Sequence, residues 1–225
     1  MPLFFCLGLI VLGAQTPATG TIHGIVRFLG EVPPSKRIMT SDGGTIVHND
    51  IVVQAKTKGL RDVIVVLDWK TKVPADAKAK PLSIDQRDML FLPRAITVQE
   101  GRKVRFENND ICNHAVDAQS IHRENVFNVT TPPSQPFEFT FKAQKNPIPI
   151  GCAIHPWMRA WVLVVPHPYH AVTAADGRFK IEHVPVGKQA LLLIHPDTNY
   201  RESVHVEVQA GKIVEVSRDW KSLKN

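Results

Sequence analysis

Cys152, His155 and Met158 stand at positions one, four and seven of Cys152-Ala153-Ile154-His155-Pro156-Trp157-Met158. A second imidazole, His114, lies upstream in Asn108-Asn109-Asp110-Ile111-Cys112-Asn113-His114-Ala115-Val116. A thiol, two imidazoles and a thioether are the ligand set of an electron-transfer copper site. Cys and the two His make a trigonal plane, and Met adds a weak, long axial contact that tunes the potential. Three of these side chains on one tight loop can aim at one point. Pro156 stiffens that loop by fixing its own φ. Taken singly, His155 or Met158 reads as a packing residue; their spacing from Cys152 is what points to a metal.

Such a loop needs strands to hold it. Arg159 and the apolar run Ala160-Trp161-Val162-Leu163-Val164-Val165 follow it directly and read as a buried anchoring strand. Short alternating segments recur along the chain: Ile22–Phe28, 46–54, 62–67, Ala95–Gln99, 103–107, 137–141, 179–182, 190–195, 204–208 and 213–217. Turn pairs separate them at Glu100-Gly101, Asp176-Gly177, Val186-Gly187 and Ala210-Gly211. No segment keeps a 3.6-residue apolar period over several turns. The pattern predicts an all-β chain of sandwiches or barrels.

From about Phe91 to Val165 the chain resembles the cupredoxins, especially short-loop members such as amicyanin and plastocyanin-like proteins. Ala95-Ile96-Thr97-Val98-Gln99-Glu100-Gly101-Arg102-Lys103-Val104-Arg105-Phe106-Glu107-Asn108 is similar to the family's strand, Gly turn, strand and Asn that lead to the first ligand His. The 38-residue step from His114 to Cys152 also suits the fold. The resemblance implies a Greek-key sandwich and one type 1 copper ion. His114, Cys152 and His155 would be its equatorial ligands and Met158 the axial one. Three departures stand out. Ala115 replaces the Asn that often ties the two ligand loops together, so that support must come from elsewhere. Pro149-Ile150-Gly151 replaces an aromatic pair. Cys112 stands two residues before His114. A Cys112–Cys152 disulfide would destroy the site; the alternatives are a free buried thiol or a sulfur beside the metal, and strand geometry at 112 and 114, which places Cys112 next to the ligand loop, favours these. His48, His122, His167 and His170 are expected to be packing or loop residues rather than ligands.

Residues 171–188 resemble a carboxypeptidase regulatory-like, or transthyretin-like, β-sandwich: Thr173, the Asp176-Gly177 turn, Phe179, then Pro185-Val186-Gly187. The family's first strands are not found just upstream. Thr21–Phe28 and Gly59–Leu67 look like the missing pair. One organisation therefore has residues 20–70 and 168–222 forming a discontinuous second, smaller sandwich. The cupredoxin, 82–166, would be inserted, with the Lys/Ala/Pro-rich 70–81 as one junction. The rival is an extended cupredoxin followed by a separate C-terminal domain.

Residues 1–18 read as a signal peptide, cleaved after Ala14 or Ala18. The apolar run Pro2–Gly13 is shorter than the ~20 residues a membrane-spanning helix needs. Export to the periplasm or outside the cell is the expectation, with membrane association only through an uncleaved N-terminus. The 225-residue chain carries a formal net charge of +6, which would steer it toward acidic partners. No Lys/Arg run with interleaved aromatics suggests nucleic-acid binding. His-x-His clusters, Gly-x-Ser-x-Gly, a phosphate loop and His-Glu-x-x-His are all absent, so no enzyme is expected. The sequence thus favours a one-electron carrier that meets a redox protein partner near His155 and Trp157. Copper storage, sensing or delivery, or a metal-free scaffold, are the alternatives.

Overall fold

The structure is a computed structural model that describes residues 18–40, 43–76 and 78–224. All but the last residue of the expected export signal lie outside the described residues. The fold is all-β: every described element is a strand except one turn of 3₁₀ helix at Arg123–Asn125. No helix among the described residues is long and apolar enough to cross a membrane.

Two sheets enclose the half that carries the Cys-His-Met loop. One has five strands in the order Phe127–Thr131, His114–Ala118, Ile148–Gly151, Arg159–Val165 and Ala95–Gln99. The other has four: Phe137–Phe139, Val104–Asn108, Leu82–Arg87 and Leu90–Leu92. Alternation decides which side chains meet between them. Val104 and Phe106 point inward, as do Val162, Val164, Ile96 and Val98. Phe106 packs against Phe127, Phe137 and Phe141, with ring centroids 6.1–6.4 Å apart.

A second pair of sheets draws on both ends of the chain. Thr19–Phe28 pairs antiparallel with Arg178–Pro185 and parallel with Ile213–Trp220. Facing it are His170–Val172, Ile64–Leu67, Gly187–His195 and Tyr200–Val208. The shared core includes Ile22, Val26, Leu60, Val65, Phe179, Leu191 and Val216. The buried Thr173 hydroxyl accepts from Val63 N–H at 2.9 Å and donates to the Leu60 carbonyl at 2.7 Å. Gly59 lies so close to the Asp176-Gly177 turn that a Cβ there would sit 1.8 Å from the Asp176 carbonyl oxygen. No larger residue fits.

The unbroken apolar runs now have a reason. Strands buried on both faces lose their alternation. Val65 and Leu67 face one core, while Ile64 and Val66 join Ala95, Leu163, Val165 and Ile194 in a third cluster between the two sheet pairs. Arg94, Asp197 and Trp161 close that junction. Arg94 Nη2 donates to Asp197 Oδ2 at 2.6 Å, and Trp161 Nε1 donates to Asp197 Oδ1 at 3.1 Å. Arg94 also donates to the Asn49 carbonyl.

The expected strand 46–54 is only four residues long, Thr45–His48, paired with Lys36–Met39. It stops where the His48 ring turns to the Asp50 carboxylate, 2.8 Å away.

Candidate metal centre

The ligand-type residues gather at one end of the five-stranded sheet. His114 begins its strand, and Cys152 follows the end of the neighbouring antiparallel strand, so both emerge at the same edge. The loop then turns back at once. Met158 N–H donates to the His155 carbonyl at 2.9 Å, a β-turn with Pro156 at its second position, where proline's φ is already set. Arg159 enters the anchoring strand.

Three donor atoms converge. His114 Nδ1 lies 2.9 Å from His155 Nδ1, and Cys152 Sγ lies 4.0 Å and 3.7 Å from those nitrogens. Among the described residues these three form the one His/Cys/Asp/Glu cluster compact enough to hold a metal ion. His114 and Met158 are fully buried and Cys152 nearly so; His155 is part-exposed. Met158 belongs to the same core as Cys152.

Protonation favours ligation at the sulfur. Burial alone would raise the Cys152 thiol. The His114 contact and the N–H groups of Ala115, His155 and Ile154 outweigh burial and hold the thiol below its ordinary value. The thiolate is the form that binds metal. The Ala115 amide donates at 3.3 Å. Burial and the neighbouring His114 charge push His155 down, which leaves it neutral with a lone pair to give. His114 goes the other way. Burial opposes its charge, but Cys152 and Asp110 overcome that and raise it.

A proton on His114 competes with a metal at Nδ1. Metal affinity is therefore expected to fall with pH below the raised value of His114, with protons released on binding. Metal-free stability runs oppositely: His114's contribution is full at low pH and lost as pH rises through that raised value. Copper titrations and unfolding curves across this interval check both signs.

The remaining histidines go elsewhere. His48 is buried against Asp50, His122 is exposed, His167 stacks on Tyr169, and His170 Nδ1 bonds Thr97 Oγ1 at 2.7 Å. Cys112 and Cys152 are not joined to each other. Cys112 Sγ stands 3.7 Å from both His114 Nε2 and Met89 Sδ. Asn108 organises the approach to His114: its amide donates to the carbonyls of Cys112 and Thr131 at 2.9 and 2.7 Å.

Part of this chain is slightly similar to several solved structures. Amicyanin from Paracoccus versutus matches at 20% identity, over 45% of this chain and 97% of its own, with a TM-score of 0.34. A purple cupredoxin from Nitrosopumilus maritimus matches at 20% identity, over 37% of this chain and 99% of its own, with a TM-score of 0.32. A Cu-containing nitrite reductase from Thermus scotoductus matches at 20% identity and a TM-score of 0.35, over 42% of this chain. The chain spans only 25% of that reductase. No protein-family model and no curated protein matches this chain. The likeness is slight, so the chemistry rests on the donor atoms themselves. A thiolate with two imidazoles suits copper or zinc, and no carboxylate stands in the cluster to favour a harder cation.

Sequence reasoning missed Asp110, Met89 and the indole of Trp157. Asp110 Oδ2 accepts from His114 Nε2 at 2.8 Å, and Trp157 Nε1 donates to the Met89 carbonyl at 3.1 Å. A carboxylate four residues before the histidine was the available signal for Asp110. Met89 had none, because it arrives from a distant hairpin.

Proposed function

We propose that this chain is an exported type 1 copper protein that carries single electrons. The convergence of two imidazole Nδ1 atoms on a thiolate-favouring cysteine carries the reading. His114, Cys152 and His155 would hold one copper ion, with the buried Met158 thioether as the axial ligand. Copper bound there supplies a one-electron couple; the protein supplies ligands that strands already hold in place, so little need move between oxidation states.

His155 would be the exit for the electron. It is part-exposed, and its ring lies 5.2 Å from that of Trp157. Pro156 is exposed, Ile154 is 51% exposed and Ile111 is fully exposed, which gives this end of the molecule an apolar rim. A redox protein partner would dock on that rim, and the net positive charge favours an acidic one. We infer that residues 82–166 form a copper unit inserted into a sandwich built from 20–70 and 168–222, which acts as its mount. No enzymatic step is assigned.

Copper delivery is the reading to distinguish. A carrier keeps its metal against a chelator and exchanges electrons quickly with its own reduced form. Retention over hours with fast self-exchange supports the carrier; ready loss to the chelator supports delivery.

A further inference from the structure

We propose that Asp110 is the positioning residue of the metal centre, fixing the His114 ring and tying together the two loops that bear the ligands. The proposal rests on the copper reading above and concerns the environment of that same site.

One carboxylate serves three donors. Oδ2 accepts from His114 Nε2 at 2.8 Å and from Met89 N–H at 3.0 Å, and Oδ1 accepts from Asp88 N–H at 2.7 Å. Asp88 and Met89 both have positive φ, 55° and 60°, a region that non-glycine residues seldom occupy. Their amides consequently face the carboxylate together, and the carboxylate in turn holds the turn. The Met89 carbonyl then takes the Trp157 indole N–H at 3.1 Å. The connection runs from the His114 loop through Asp110 and the 88–89 turn to Trp157, two residues beyond His155. Besides the Ala115 amide's contact with Cys152 Sγ, this path through the hairpin gives the two loops a second link.

The carboxylate also acts on the ring itself. With its proton committed to Asp110 at Nε2, a neutral His114 must present its lone pair at Nδ1, the atom that faces His155 and Cys152. An anion behind the ring raises Nδ1 basicity and favours the more highly charged metal.

Asp110→Asn tests this, because an amide nitrogen must replace one of two acceptor oxygens that are both in use. Without metal, and at a pH that leaves the ring neutral, nitrogen NMR of wild type should find His114 protonated on Nε2; the variant should mix both tautomers. With copper, Cu(II) affinity should fall about tenfold while Cu(I) affinity changes little. A tenfold difference raises a one-electron potential by about 59 mV. A residue that merely stiffened the turn would lower stability and leave the potential unmoved.

Wild type protonated on Nδ1, or a variant with unchanged potential, overturns the proposal. If neither protein binds copper but the Nε2 lock is lost in the variant, Asp110's role stands and the copper reading falls.

Discussion

Arg94→Ala is expected to destabilise the fold by about 3–5 kcal/mol, the usual cost of removing one partner from a buried ion pair. Arg94 and Asp197 are each about 5–6% exposed. Burial outweighs even the adjacent guanidinium and holds the Asp197 carboxyl above its ordinary range. The pair is thus dominated by desolvation, and its intact form adds little net stability. Losing Arg94 strands a carboxylate that, among the described residues, only Trp161 still serves, and it frees the Asn49 carbonyl as well. The sign with pH follows. A carboxyl whose folded value lies above its unfolded one favours the fold while protonated, so the penalty should shrink at acid pH and grow as pH rises. Arg94→Met combined with Asp197→Leu should recover most of the loss. Urea unfolding of both variants at two pH values checks this. A cost below about 1 kcal/mol for Arg94→Ala would show that the junction does not depend on the pair.

The second large effect is on the metal. Copper at a thousand times its dissociation constant should stabilise the protein by about 4 kcal/mol against unfolding, because a site assembled by folding binds only the native state. Cys152→Ser should remove nearly all of that gain. Serine has no thiolate to offer, although the N–H groups of Ala115, Ile154 and His155 would still face it. The metal-free variant should remain folded, since its side chain is close to isosteric. Equal stabilisation of variant and wild type by copper would place the metal elsewhere.

The readable parts of this protein are those in which chemistry and chain position coincide. Cys152 and His155 lie on one loop, so spacing alone groups them. His114 joins them because a strand and Asn108 deliver it to the same sheet edge. The all-β class was likewise plain in the alternation of Val104-Arg105-Phe106 and in the apolar runs around Val65 and Leu163. Which face of those runs meets which core was not readable, since a strand buried on both faces has no polar side to orient it. The hairpin Leu82–Leu92 was missed for a related reason. Its turn uses Asp88 and Met89 at positive φ, where Gly or Asn would be expected, and a carboxylate from another loop stabilises it. Such long-range support leaves no local mark, and the role of Asp110 emerges only in three dimensions.

A copper–thiolate bond at Cys152 is what the proposed electron carrier most requires. Cu(II) added to the purified protein should give an intense visible thiolate-to-copper band and a paramagnetic resonance spectrum with narrow copper hyperfine splitting. Both should vanish in Cys152→Ser. A colourless wild-type protein, or a colour that survives the loss of Cys152, would exclude a type 1 copper site at this cysteine.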